Sequence, residues 1–352
     1  AYEIHERLVG SEMCIKRQIY TCNRPGVKSS TQKQEFVMEN LIFSLNVTLP
    51  IFLTIVIGYV LKQIHMLNDS FVTVANKFNF KVTLPALLFL DLYQADFFSV
   101  WDTGYVLYCF FATLICFTVI MTGASLFLKD KDIIGEFVQG SYRGSAAVLG
   151  LAFIQNIYGK ATIAPLMIIG SVPLYNILAV LILSFTGPGE HKLDKKGLVK
   201  SLKGIATNPI ILGILFGLLA SVSQIKLPFL VTKTMSNLSV MATPLALIAL
   251  GAGFEVKAAC GRIKPALTAS FIRLFVQCAV FLPVAAHFSF TGEKMVSLLI
   301  MLGAPTTPSC YIMAKNMGHE GVLTSSVIVL TTLLSSVSLT FWLFILKTMG
   351  LI

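Results

Sequence analysis

The sequence predicts an all-α integral membrane protein with ten transmembrane helices, built as two halves of five helices. The first observation behind this prediction is composition: 55% of the 352 residues are hydrophobic, 12% are charged, and the mean hydropathy is +0.80. A soluble domain carries about 25% charged residues. The second observation is a set of Gly and Pro positions that recurs at one fixed separation. Together they predict a duplicated chain embedded in lipid.

Ten apolar runs have the length of about 20 residues that a helix needs to cross a bilayer. They lie near 41–61, 70–92, 104–128, 135–158, 162–186, 206–224, 229–254, 264–288, 294–317 and 321–346. The connectors are short except for a Lys-rich stretch with Gly and Pro between the fifth and sixth runs. We therefore divide the chain into a first five-helix repeat at 38–186, a loop at 187–205 and a second five-helix repeat at 206–352.

The leading stretch, 1–37, differs in kind from the rest of the chain. Its charges are mixed, and it lacks the apolar core of a signal peptide. We expect it to be non-native or disordered, with natural translation starting at Met38. Mass spectrometry on protein from the natural host would test this, and an intact Ala1 end would refute it.

The basic residues predict an orientation in the cell membrane. The formal net charge is +10, but the Lys and Arg residues are scattered between apolar runs and do not form the patch expected of a nucleic-acid partner. With the native N-terminus outside, thirteen of them fall on the cytoplasmic side and five on the opposite side. Because Lys and Arg in short loops stay cytoplasmic, we predict both native termini outside and the central loop inside.

A repeat with an offset of 159 residues relates the two halves. The offset joins Pro50 to Pro209, Gly58 to Gly217, Pro85 to Pro244, Gly144 to Gly303 and Gly159 to Gly318. Five helices are an odd number, so the second half must enter the membrane from the opposite face. This predicts an inverted repeat, as in many secondary transporters. A duplicated membrane scaffold without transport, a channel and a receptor are the alternatives.

The fourth and ninth spans are the candidates for a site at the membrane midplane. Residues 140–150 are small and polar, while Pro305 and Pro308 cannot continue a regular helix. A break in both spans would bring two positive half-helix N-termini together, which suits an anionic group. The predicted substrate-binding residues of these spans are Gly144, Ser145, Ala146, Pro305, Thr306, Thr307, Pro308 and Ser309. Small residues that only permit close helix packing are the alternative interpretation.

Asn79 and Asn237 complete the predicted site. Each precedes one of the paired prolines, Pro85 and Pro244, and each is costly in lipid, so both are expected to face the protein interior. A kink for packing alone is an equally good explanation of the two prolines.

Ionisable residues within the predicted spans are few: Lys81, Asp91, Arg143, Glu255 and Arg273. For Asp91, Glu255 and Arg273 we expect a place near a membrane interface, where solvent reaches the charge. The spans contain no adjacent carboxylate pair, and the chain has no P-loop, zinc-ligand motif or convincing nucleophile and base. The seven cysteines show no disulfide or metal-binding spacing. We expect no enzyme activity, catalytic residue, metal or cofactor.

Four short motifs resemble the auxin efflux carrier family, and its bacterial malonate-permease-like members look closest. The motifs are NVTLP at 46–50, TLPAL at 83–87, NPII at 208–211 and the stretch 304–318. The resemblance covers 38–352. It implies a ten-span inverted repeat with broken, crossing fourth and ninth helices, similar to sodium/proton antiporters and bile acid symporters. It also implies a scaffold with a moving domain and a homodimer. The chain departs from the family pattern at Ser145, where Asn is common, and at Ala152, where Pro is common.

The sequence therefore predicts a secondary active transporter that moves a small organic anion by alternating access, and the family resemblance implies that this anion is a carboxylate or auxin-like molecule. Its expected partners are the lipid bilayer, the anion and a second copy of the chain. The coupling ion, proton or sodium, stays open. The alternatives are a sodium-coupled bile-acid-type symporter, recognised by sodium-dependent uptake, and a non-transporting membrane solute sensor, recognised by tight binding without flux.

Overall fold

The computed structural model describes residues 30–94, 101–146, 154, 157–158, 162–187 and 207–352. Within these residues the secondary structure is helical except for one isolated β-bridge. Contacts divide the chain into two units, 1–39 and 40–352, and the features below belong to the second. Most of the leading segment and of the central loop, 1–29 and 188–206, lies outside the described residues. The predicted domain boundaries therefore stay predictions.

Fifteen α-helices lie in the described part of the chain. They are α1 Ser30–Gln63, α2 Asp69–Phe78, α3 Leu84–Tyr93, α4 Thr103–Phe127, α5 Ile134–Tyr142, α6 Ala164–Phe185, α7 Pro209–Val222, α8 Phe229–Val240, α9 Ala242–Ala252, α10 Val256–Gly261, α11 Ile263–Phe271, α12 Gln277–His287, α13 Glu293–Gly303, α14 Ser309–Asn316 and α15 Val322–Thr348. Two π-helical segments, Asn79–Thr83 and Ile272–Val276, join α2 to α3 and α11 to α12.

Six helical segments among the described residues are long and apolar enough to cross a membrane. They are Leu41–Gln63, Thr103–Phe127, Ala164–Phe185, Phe229–Ala252, Ile263–His287 and Val322–Thr348. An all-helical membrane protein is thus confirmed, but ten spans are not. The second predicted span carries Lys77, Lys81 and Asp91, the sixth yields only the shorter apolar helix α7, and the ninth is interrupted. In the fourth, α5 ends at Tyr142, and 147–153, 155–156 and 159–161 lie outside the described residues.

Helix starts follow from the chemistry of their capping residues. The side chain of Asn68 accepts a hydrogen bond from the backbone N–H of Phe71 at the start of α2, and Asp102 does the same for Tyr105 in α4. Asn208 caps α7, where Pro209 occupies the first helical position. A side-chain oxygen there satisfies an N–H that has no partner within the helix.

The helices pack in two groups. The first contains α1–α3 and α7–α9, the second contains α4–α6, α11–α13 and α15, and α14 packs against both. In the first group glycines bring backbones together: Gly58 lies against Ile248, and Gly217 against Phe89, with no room for a Cβ atom. The two groups meet where α14 packs against α2 and α9, and where α6 packs against α7.

The connecting segments also fall into two sets. Arg262, before α11, forms ion pairs with Asp130, before α5, and with Glu320, before α15, at 3.7 Å to the latter. In the other set, Lys294 pairs with Asp102 at 2.5 Å, and the backbone N–H of Gly292 donates to Leu351 at 2.8 Å. The α4 helix, the α11–α12 segment and α15 therefore each join a connector of one set to a connector of the other.

Candidate functional site

The ninth predicted span is interrupted at its two prolines. The α13 helix ends at Gly303, Ala304 is extended with φ −66° and ψ 152°, and α14 begins at Ser309. A residue before proline is pushed out of the helical region by the proline ring, and proline cannot donate to the preceding turn. Local chemistry thus accounts for a non-helical stretch from Ala304 to Pro308.

A second extended stretch, Arg143–Ser145, follows α5 and lies beside the first. Gly144 and Thr306 form an isolated antiparallel bridge, and the N–H of Ser145 donates to the carbonyl of Pro305 at 2.9 Å. The hydroxyl of Thr306 donates to the carbonyl of Gly140 at 2.7 Å. Each extended stretch therefore supplies partners for backbone groups that an intact helix would have satisfied internally.

Arg273 holds the carbonyl ends of both interrupted helices. Its guanidinium donates to the carbonyls of Met301 at 2.7 Å, Ala304 at 2.8 Å and Tyr142 at 2.9 Å. These carbonyls lie at or just after the C-terminal ends of α13 and α5, where orphan C=O groups and negative dipole ends favour a cation. The side chain is fully buried, so the expectation of a solvated Arg273 near a membrane interface is wrong.

Gly144 leaves the space that the Arg273 guanidinium occupies. A Cβ atom at Gly144 would collide with Arg273. The close approach of backbone and arginine therefore requires glycine at this position.

Arg143 is a second buried cation beside the bridge, and it was not among the predicted site residues. Its guanidinium donates to the Asn176 Oδ1 atom at 2.6 Å, to the Ser309 Oγ atom at 2.7 Å and to the Met313 sulfur at 2.8 Å. All three acceptors are neutral, and the thioether is a weak one. Within the described residues no carboxylate pairs with Arg143. The sequence did offer a signal for Arg143, because an ionisable residue within a predicted span is a candidate functional residue.

A cavity of about 70 Å³ opens beside Arg143. Six predicted site residues line it: Gly144, Ser145, Ala146, Thr307, Pro308 and Ser309. Asp91, Asn176 and Thr243 add polar groups, and Leu84, Leu87 and Val172 are among its apolar neighbours. Pro305 and Thr306 lie next to it, within the paired extended stretches. Asp91 thus lines the same cavity as Arg143, and its expected place near a membrane interface stays a prediction.

The structure does not bring Asn79 and Asn237 to this cavity. Asn79 is buried, and its Nδ2 atom donates to the carbonyl of Ala242 at 2.9 Å, at the start of α9. Asn237 lies on α8 with an exposed side chain, so the expectation that it faces the protein interior is wrong. Glu255 is exposed, as expected.

A larger cavity, about 710 Å³, lies beside α10 and is lined by its residue Lys257. Its lining includes Lys62, Lys77 and Lys315 together with Asp69 and Glu255. Basic groups in a concave surface raise the local concentration of anions.

Interrupted helices that meet beside a polar cavity, in a chain of apolar helices, are typical of membrane transporters. Residues 43–343 match the protein-family model described as Membrane transport protein, so the chain belongs to this family, that of the auxin efflux carriers. It is also similar to an uncharacterized transporter of Methanothermobacter thermautotrophicus, with 21% identity over 306 residues that cover 85% of this chain and 97% of that protein. The family resemblance of the sequence motifs is confirmed.

Proposed function

We propose that the protein is a secondary active transporter that moves a small organic anion, a carboxylate or auxin-like molecule, across the membrane by alternating access. The observation that carries the proposal is Arg143, a buried guanidinium with neutral partners that lines a cavity between interrupted helices. A buried charge without a counter-ion costs several kcal/mol in effective desolvation. A carboxylate in the cavity would offset this cost.

Neighbouring groups support an anion in the same place. The α14 helix begins at Ser309 beside the cavity, and the positive end of its dipole favours negative charge there. The hydroxyls of Ser145, Thr307 and Ser309 lie on residues that line the cavity. We therefore assign the anion to Arg143 and these residues, and we leave Asn79 and Asn237 out of the proposed site.

We also propose ten membrane passages in a 5+5 inverted repeat. The contact between Gly58 and Ile248 has a counterpart between Gly217 and Phe89. The offset of 159 residues that carries Gly58 to Gly217 carries Phe89 to Ile248, so the two contacts are related by exchange of the halves. The alternation of the two sets of connectors supports the same topology.

Alternating access follows if the two helix groups move against each other. Asp91 belongs to the first group and Arg143 to the second, so the cavity lies where such motion would open or close it. The connectors around Arg262 and Lys257 match the basic, predicted cytoplasmic side. The homodimer implied by the family stays a prediction.

Proteoliposomes loaded with single carboxylates test the proposal. Substrate-dependent flux is expected for at least one carboxylate, and Ser145→Leu and Thr307→Leu should abolish it because leucine fills the cavity and removes a hydroxyl. Thr118→Leu is the matched control, since the Thr118 side chain is exposed on α4.

Four results would speak against this function. Absence of flux with every carboxylate would contradict the transport of an organic anion. Normal transport by both cavity variants would show that the substrate binds elsewhere. Uptake only with sodium would favour a bile-acid-type symporter. Tight binding without flux would favour a solute sensor.

A further inference from the structure

Asp91 shares the cavity with Arg143 and has no role in the proposed function so far. We propose that anion binding is linked to protonation of Asp91, so that one proton from solvent binds with each anion. This inference rests on the proposed function, because it requires an anion at Arg143.

The first step of the argument is the place of Asp91. It lies on α3, two residues before the helix ends at Tyr93, and its partly buried side chain lines the 70 Å³ cavity. No hydrogen bond or ion pair is found for its carboxylate in the part of the chain that the structure describes. An unpaired carboxylate on an intramembrane helix is a functional-site candidate by default.

The second step is the surrounding charge. Arg143 faces the cavity from the stretch after α5, and Tyr175 faces it from α6, with its hydroxyl donating to the carbonyl of Met301 at 3.0 Å. The α7 helix packs against α3 and contains no titratable residue. Lys233 on α8 and Lys81 in the adjoining π-helical segment are exposed and do not line the cavity. Arg143 is therefore the cationic side chain that lines the cavity together with Asp91.

The third step is linkage. An anion at Arg143 and an ionised Asp91 are like charges within one small cavity, so each disfavours the other. Protonation of Asp91 removes the repulsion, and reciprocity requires that anion binding favour protonation to the same extent that protonation favours binding. The proton goes from solvent to a carboxylate oxygen of Asp91, and the anion keeps its charge at Arg143.

Binding measured across pH tests this linkage in the full chain. Benzoate and oxalate serve as probes, because both stay ionised between about pH 5.5 and about pH 8.5. The wild-type affinity should fall as pH rises, by up to about tenfold per pH unit where one proton binds with each anion. A weakly buffered pH indicator should report proton uptake when the anion is added.

Asp91→Asn keeps the shape of the side chain and removes its charge. The variant should bind both probes with an affinity that does not depend on pH and that matches the wild-type affinity at low pH. Glu255→Gln is the matched control, since Glu255 is an exposed carboxylate at the end of a predicted span, and it should keep the wild-type pH dependence.

The outcomes separate this inference from the function beneath it. Failure of both probes to bind at any pH would count against the proposed site and remove the basis of the linkage. Binding that is independent of pH in the wild type, or equally dependent on pH in Asp91→Asn, would leave the site intact and overturn the linkage alone. β-Alanine differs from propionate by its ammonium group. If β-alanine binds more tightly than propionate and this binding requires Asp91, then Asp91 binds an ammonium group, and the proposed proton linkage is wrong.

Discussion

Replacement of Arg273 by methionine should destabilise the protein strongly, because this side chain joins the two interrupted helices. Methionine keeps the length of the aliphatic part and removes every donor. The carbonyls of Tyr142 and Ala304 would lose their Arg273 hydrogen bonds, and that of Met301 would keep only the hydroxyl of Tyr175.

The magnitude follows from the two carbonyls that lose this donor. A buried polar group without a partner costs roughly 1–3 kcal/mol, so the two together should lower the free energy of unfolding by roughly 2–6 kcal/mol. The loss of a cation from two helix C-terminal ends acts in the same direction. Because a whole domain is stable by about 5–15 kcal/mol, the variant should unfold at a markedly lower temperature or denaturant concentration.

Arg262→Met is the matched control for this measurement. Arg262 forms ion pairs with Asp130 and Glu320 in connectors where its side chain is 29% exposed. Exposed pairs of this kind contribute up to about 1 kcal/mol. Thermal unfolding of both variants in the same detergent should therefore separate them clearly. Equal stability of the two would refute the reasoning that Arg273 holds the helix ends.

Three further predictions concern the site and its surroundings. Arg143→Met should weaken anion binding by roughly 10- to 150-fold, the loss expected for a charge-assisted hydrogen bond of about 1.5–3 kcal/mol; unchanged affinity in isothermal titration would exclude Arg143 from the site. Gly144→Ala should destabilise the protein through the collision with Arg273, whereas Gly123→Ala, which meets no atom within 4 Å, should not; thermal unfolding compares the two, and a tolerated alanine at 144 would contradict the packing. The hydrogen bond from Lys294 lowers the pKa of Asp102, so its stabilisation is present above the unfolded pKa of about 3.9 and is lost as pH falls through the lower folded value. Asp102→Asn, which keeps the cap on α4, should reduce this acid-dependent loss of stability, and an unchanged acid unfolding profile would count against the ion pair.

The interruption of the ninth predicted span was predictable because its cause is local. Pro305 and Pro308 exclude a regular helix whatever surrounds them, and the small residues around Gly144 marked the stretch that pairs with it. Ser145, Thr307 and Ser309 are close in sequence to these features, so their place in the site could be predicted, and all three line the cavity.

The positions of the charged and polar side chains were harder to predict, because hydropathy reports neither how deeply a side chain is buried nor in which direction it points. Arg273 and Glu255 both looked able to reach solvent, yet one is fully buried and the other is exposed. Asn79 and Asn237 precede paired prolines, but only Asn79 faces the interior. Contacts of Arg273 lie up to 131 residues away along the chain, so no local pattern could reveal them.

The contacts of Arg273 have a consequence for the order in which the protein can assemble during synthesis. The carbonyl of Tyr142 reaches the membrane well before Arg273 has been made, because 131 residues separate them. Until then its acceptor must rely on water or on a temporary neighbour. The half of the chain made first therefore cannot complete its own interrupted helix, and the final arrangement waits for a donor that the ribosome adds much later.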